Sequence, residues 1–254
     1  MKISFFEEYP SKENLRRLQL VKVPTSLYLG SKSVKEFLEL RQALQRDYKQ
    51  VKQVIYWPIL DSKEGYWLSA FSKTEAIKRI SRELKITKEP FPVLWDAELP
   101  TLNKKLFFTE LPNLIQNKKL IHEILLSQLP NHPLVVAQFP KLGLPERLSQ
   151  LGASSFPFSN YHRLDMLYSS IMNIPNSDKY ILDTIRSNKN KYQHYSVSFG
   201  LLAGGQEDES SLISLKDLDR ELTIAKEEHI EEVVMYRLGG LNMDYLKVLE
   251  KYCP

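Results

Sequence analysis

Short runs of β-branched and aromatic residues alternate with longer amphipathic stretches along the chain, an order typical of parallel strands joined by helices. The runs at 3–6, 24–29, 54–57, 91–95, 133–139, 163–169, 196–202 and 232–237 predict strands. The stretches at 11–20, 33–48, 72–84, 101–129, 145–151, 177–191, 215–228 and 242–252 predict helices. Eight such units predict a closed (β/α)8 (TIM) barrel that forms a single domain over residues 1–254.

Some details of this pattern are open. An open doubly wound sheet is the competing architecture, and residues 153–158 are an alternative sixth strand. Two helices begin with Ser-x-x-Glu, at Ser33 to Glu36 and at Ser72 to Glu75, which predicts a capping box at each start.

The composition of the chain indicates which classes of partner are not expected. The 254 residues are 43% hydrophobic, and 35 Lys and Arg against 31 Asp and Glu leave a scattered net charge of +4, which favours no nucleic-acid partner. No apolar run reaches about 18 residues, so no membrane span is expected. The N-terminal segment is acidic and has no leader pattern, which predicts a cytoplasmic protein. Cys253 is the single cysteine, so no internal disulfide is expected.

The histidines fall at positions that do not favour catalysis. His132, His162, His194 and His229 precede strands, and His122 lies within a predicted helix. Active sites of barrels gather at the carboxyl ends of the strands, so a histidine-based nucleophile or metal site is not expected. We expect no metal and no organic cofactor.

Acids and aromatic residues lie at the carboxyl ends instead. Asp96 and Glu98 follow strand four two residues apart, so both carboxylates face one side of an extended chain and push their pKa values apart, as a general acid requires. The alternative is that Asp96 caps a helix and Glu98 is solvated. Further candidates for binding a small molecule or a carbohydrate are Glu8, Trp57, Trp95, Gln138, Tyr168 and Arg237.

The aromatic rings suit a sugar, because flat rings stack on the C–H face of a pyranose. Trp57, Tyr66, Trp67 and Trp95 lie near the predicted site, although each is equally typical of a packed core.

Two glycine pairs, Gly204-Gly205 after strand seven and Gly239-Gly240 after strand eight, indicate a second kind of site. Barrels often bind phosphate there through backbone N–H groups, which would suit an isomerase or lyase acting on a phosphorylated molecule. Tight strand-to-helix turns require the same glycines, and the acidic residues between the pairs would repel phosphate.

Residues 93–100 read Val-Leu-Trp-Asp-Ala-Glu-Leu-Pro. This run resembles the strand-four Asp-x-Asp-x-Glu signature of chitinase-like glycoside hydrolases, and Met166-Leu167-Tyr168 resembles their Met-x-Tyr at strand six. The resemblance implies that Glu98 is the catalytic acid, that Asp96 supports it, and that Tyr168 holds the acetamido group of the substrate. In that family the acetamido oxygen attacks the sugar carbon, so no protein nucleophile is needed.

The chain departs from this pattern at three places. Leu94 stands where the signature has its first Asp, Ser169 where an Asp follows the tyrosine, and Tyr236-Arg237 where the family has a tryptophan. Two interpretations follow, a glycosidase-like enzyme and a diverged barrel that binds its ligand without catalysis. The sequence does not predict the oligomeric state.

Overall fold

The computed structural model describes residues 1–96, 105–128, 132–139, 161–172, 176–205 and 211–253. Eight parallel strands pair in chain order, and the last pairs with the first, so the sheet closes into a barrel. The strands are β1 (Lys2–Glu7), β2 (Thr25–Ser31), β3 (Val51–Pro58), β4 (Val93–Asp96), β5 (Leu134–Gln138), β6 (His162–Met166), β7 (His194–Gly200) and β8 (Glu232–Tyr236). The predicted (β/α)8 fold is confirmed, and the open sheet is wrong.

Helices pack around the barrel. Those described are α1 (Lys12–Arg16), α2 (Val34–Asp47), α3 (Thr74–Ile86), α4 (Lys105–Thr109), α5 (Leu114–Gln128), α6 (Ser169–Met172), α7 (Ser177–Asn188), α8 (Leu215–Glu227) and α9 (Met243–Glu250). Short 3-10 turns lie at Arg17–Leu20, Ser62–Glu64, Leu111–Asn113 and Leu238–Gly240. Within the described ranges, no helix combines the length and apolarity needed to cross a bilayer.

Strand alternation divides the core into two clusters. Successive side chains of a strand point to opposite faces, so Phe5 of β1 packs under the helices while Phe6 points into the barrel. The cluster inside the barrel, called the lumen here, also contains Tyr28, Ile55, Leu94, Val135, Leu164 and Val234. The same parity decides which polar side chains meet where the strands end.

The predicted boundaries hold best where the hydrophobic pattern is strongest. Each predicted strand overlaps an observed one, and β4 ends at Asp96. The predicted sixth strand extends too far, because Ser169 already begins α6. The alternative strand at 153–158 and the predicted helix at 145–151 lie outside the described residues.

Neither predicted capping box is complete: at α2 the serine caps the helix, but Glu36 Oε2 accepts the N–H of Lys32 instead of that of Ser33. Ser33 Oγ accepts the N–H of Glu36 at 3.2 Å and so caps α2. Ser72 Oγ instead accepts the N–H of Ser69 at 2.9 Å and donates to the carbonyl of Trp67 at 2.7 Å. Because this hydroxyl holds the preceding loop, α3 begins after Lys73 without a side-chain cap.

Candidate active site

Asp96 is the last residue of β4 and, two residues after the inward-facing Leu94, lies on the lumen side of the strand. Only 4% of its surface is exposed. Burial and then the charge of Glu8 raise the pKa of Asp96 to about 8. Neither Asp96 Oδ1 nor Trp57 Nε1 has a hydrogen-bond partner among the described residues.

Glu8 follows β1 directly and has the same parity as Phe6, so its side chain also faces the lumen. The phenols of Tyr66 and Tyr236 donate to its two carboxylate oxygens, one to each. Burial raises the pKa of Glu8, and both phenols act against the increase because they stabilise the anion. Asp96 and Glu8 therefore form an interacting pair of buried acids.

The loop after β7 passes closely over this pair. A Cβ atom added at Gly205 would collide with Tyr236 Oη and lie 3.1 Å from Glu8 Oε2. Glycine is therefore required here by the close approach of the loop to the Glu8 carboxylate.

Aromatic rings surround the two acids. Trp57 lies parallel to Trp67, with ring centroids 5.9 Å apart and an interplanar angle of 3°. Tyr168 packs 5.5 Å from Tyr236, and its hydroxyl accepts a hydrogen bond from Ser198 Oγ at 3.1 Å. The mouth of the lumen thus combines carboxyl groups with rigid aromatic faces.

Glu7 points the other way from Glu8 and joins the ends of β1 and β8. Its Oε1 accepts from Asn14 Nδ2 at 3.1 Å and from Arg237 Nη1 at 3.3 Å, and its Oε2 accepts from the N–H of Gly239 at 2.7 Å. Arg237 also donates to the carbonyl of Gly204 at 2.8 Å and lies 4.9 Å from the ring of Tyr9. Arg237 is therefore engaged by protein groups.

The glycine turns offer little to a phosphate. Gly239 donates its N–H to Glu7, and Gly240 donates its N–H to the carbonyl of Arg237 at 3.1 Å. A phosphate bound to the N–H of Gly239 would have to displace the Glu7 carboxylate. Two anions would then lie close together at a buried position, which is unfavourable. The geometry accounts for these glycines as turn residues beside Leu202, which a Cβ at Gly240 would strike.

The predicted site residues divide into two groups. Glu8, Trp57, Asp96 and Tyr168 meet at the lumen mouth. Trp95 lies in the helix-facing core with its indole donating to the carbonyl of Leu68 at 2.6 Å, and Gln138, by alternation on β5, follows the inward Ala137 and points outward. Glu98 lies outside the described residues.

The described histidine contacts are with structural partners away from the lumen mouth. His162 Nε2 lies 2.8 Å from Ser196 Oγ, at the first residue of β6, and His132 packs on Phe91. No group of His, Cys, Asp and Glu that could hold a metal ion occurs among the described residues.

Sequence reasoning did not assign the hydroxyls of Tyr66 and Tyr236 to Glu8. For Tyr236, strand parity was an available signal, because it follows the inward-facing Val234 by two residues on β8. For Tyr66, which lies in the loop after β3, no periodic signal exists.

Comparison with known proteins shows the fold. No family model and no curated protein sequence matches the chain. The glycoside hydrolase domain of PgaB from Bordetella bronchiseptica is similar at 10% identity with a TM-score of 0.60, over 99% of this chain and 98% of that one. A GH18 chitinase from Pseudoalteromonas aurantia is similar at 11% identity with a TM-score of 0.59, over 99% and 100%. A GH26 β-mannanase from Bacteroides ovatus is similar at 12% identity with a TM-score of 0.56, over 99% and 88%.

A D-tagatose 3-epimerase-like protein shares the architecture as well, at 14% identity with a TM-score of 0.55, over 99% and 96% of the two chains. Identities this low establish a shared barrel, and one barrel supports many chemistries. Chitinases are among the structures that share it, consistent with the resemblance noted at strands four and six.

Proposed function

We propose that residues 1–254 form a single-domain, glycosidase-like barrel that binds a carbohydrate at the lumen mouth and hydrolyses a glycosidic bond there. The observation that carries this proposal is the pair of buried acids, Asp96 and Glu8, beside the rings of Trp57 and Tyr168. Glycoside hydrolysis needs one protonated carboxyl and one anion at neutral pH. In this proposal Glu8 supplies the anion, and the proton donor is Glu98, the neighbour of the protonated Asp96.

Three acids have different roles in this proposal. Asp96 keeps its proton at neutral pH because burial and the charge of Glu8 raise its pKa to about 8. Glu98, two residues further along the chain, is the proposed general acid that donates to the leaving oxygen, and Asp96 positions it. Two phenols favour the anionic form of Glu8, and in this proposal that anion stabilises the positive charge that develops on the sugar ring.

The comparisons give this proposal independent support. The PgaB domain, the chitinase and the mannanase are glycoside hydrolases by their own descriptions. The aromatic faces of Trp57 and Tyr168 suit the C–H side of a sugar ring held against the acids. Carbohydrate is therefore the ligand class that the site favours.

The test compares two glycosides on the wild type and on Glu98→Gln, one with a poor leaving group and one with a good one. The variant keeps the shape but loses the donated proton, so turnover of the poor-leaving-group glycoside should fall by about a hundredfold. The other glycoside should lose much less. Equal losses on both would remove the acid role from Glu98.

A non-catalytic binding barrel is the second candidate, and the departures from the chitinase signature at Leu94 and Ser169 favour it. Ser169 donates its hydroxyl hydrogen bond to Glu221 of α8 and not to a residue of the lumen. Carbohydrate binding by the wild type, without hydrolysis across a broad panel of glycosides, would select this candidate over the enzyme.

A further inference from the structure

A pocket of about 390 Å³ opens beside the acid pair, over the carboxyl ends of β1, β2 and β3. Its inner end is lined by Glu8 and Tyr66, which hydrogen-bond each other, so the pocket adjoins the candidate active site. The size falls in the range of roughly 300–1,000 Å³ that is typical of small-molecule sites. The lining also includes Gly30, Lys32, Glu36, Ile59, Asp61 and Ser62.

The pocket wall depends on a glycine at the end of β2. A Cβ at Gly30 would lie 2.5 Å from Ile59 Cδ1 and 2.8 Å from the carbonyl oxygen of Glu8. Gly30 therefore allows Ile59 to approach the backbone of Glu8, and Ile59 gives the pocket an apolar side.

The pocket lining carries an excess of negative charge. Three acids, Glu8, Glu36 and Asp61, face one lysine, Lys32. Lys32 Nζ contacts Asp61 Oδ1 at 2.5 Å, and Glu36 Oε2 accepts the backbone N–H of Lys32 at 2.8 Å. The lysine therefore neutralises one acid, and the charges of Glu8 and Glu36 are left without an opposing charge in the lining.

We propose that this pocket is a sugar subsite that accepts neutral units of a glycoside and rejects anionic ones. This inference rests on the proposed function and names its substrate class. A carboxylate has about four acceptor positions. The phenols of Tyr66 and Tyr236 take one on each oxygen of Glu8 and Tyr9 takes a further one, which leaves an acceptor for a sugar hydroxyl at the inner end. Ile59 faces the C–H side of the ring. A uronate, sulfate or phosphate group would meet the acidic lining and be repelled.

The charge test uses calorimetric titration at low ionic strength, where screening is weak. Neutral tetrasaccharides (cellotetraose, mannotetraose and tetra-N-acetylchitotetraose) are compared with tetragalacturonate. At least one neutral sugar should bind about tenfold or more tighter than the galacturonate. Glu36→Gln removes one charge but keeps an acceptor for the N–H of Lys32, so it should reduce that preference by about threefold.

The position test blocks the pocket from its rim. Ser62 is an exposed lining residue outside the acid pair, and Ser62→Trp should weaken tetrasaccharide binding by about tenfold or more because the indole fills the pocket. The matched control is Ser187→Trp, which places the same side chain on the exposed face of α7, and it should bind as the wild type does. Thermal unfolding of both variants checks that they fold.

The outcomes separate the two proposals. If no neutral sugar binds the wild type, both the proposed carbohydrate function and the proposed subsite are refuted. If neutral sugars bind but Ser62→Trp binds as tightly as the control, or the galacturonate binds equally well, only the subsite is refuted. Preference for neutral sugars that is lost through Ser62→Trp and reduced in Glu36→Gln supports it.

Discussion

Tyr236 donates a hydrogen bond to Glu8, a residue 228 positions earlier in the chain, and so ties the end of β8 to the end of β1 inside the barrel. Tyr66 donates to the other oxygen of the same carboxylate. A buried anion requires such donors, because an unpaired one would be strongly destabilising.

The first prediction concerns this bond. Tyr236→Phe removes one donor, so the pKa of Glu8 should rise further and the free energy of unfolding should fall by about 1.5–3 kcal/mol where Glu8 is ionised. The loss should shrink at about pH 4, because a protonated Glu8 needs the donor less. Urea unfolding at several pH values measures it. Tyr245→Phe is the control, since that phenol donates to the neutral carbonyl of Ile213 and its loss should not depend on pH.

Asp96 predicts a pH dependence of stability. Its folded pKa is about 8 against an ordinary 3.8, so between these values the folded state holds a proton that the unfolded state releases. Stability from this group is therefore lost as pH rises, by about 3 kcal/mol between roughly pH 5 and pH 8. Asp96→Asn cannot ionise and should be more stable than the wild type at about pH 8, with little difference at about pH 4. A wild type and variant with parallel stability curves would contradict this.

Glu221 on α8 is a second buried acid and allows stability to be separated from function. Burial raises its pKa to about 8, Ser169 donates to one oxygen, and its Oε2 has no partner among the described residues. Glu221→Gln should therefore stabilise the protein at about pH 8, as Asp96→Asn does. Only Asp96→Asn should reduce glycoside turnover. Equal effects of both variants on turnover would show that turnover reports general stability.

A further prediction is that Gly205 and Tyr236 are coupled sterically. A methyl group there collides with Tyr236 Oη, so Gly205→Ala should lower the free energy of unfolding by about 1–3 kcal/mol. In a Tyr236→Phe background the colliding oxygen is absent, and the same substitution should cost at least about 1 kcal/mol less. A double-mutant cycle by urea unfolding measures the difference. Strict additivity would show that the loop does not press on the phenol.

The sequence predicted the barrel because each strand and helix has its own period, and eight repeats leave few arrangements. It predicted Asp96 correctly as the end of β4. The prediction that Trp95 lines the site was wrong. Neighbouring residues on a strand face opposite sides of the sheet, and the hydrophobic pattern alone did not indicate which of Trp95 and Asp96 faces the lumen. Of the two bonds to Glu8, the one from Tyr236 could have been predicted from strand parity, whereas the one from Tyr66 comes from a loop without any periodic pattern.

The partnership of Glu8 with Tyr236 has a consequence for synthesis of the chain. Glu8 emerges from the ribosome 228 residues before the phenol that it needs, and the closing pair β1 and β8 is the most non-local contact of the fold. Until β8 arrives, the nascent carboxylate must remain hydrated. The proposed sugar site is therefore completed only when β8 closes the barrel, and ligand capture by stalled nascent chains should begin only after residue 236 has left the exit tunnel.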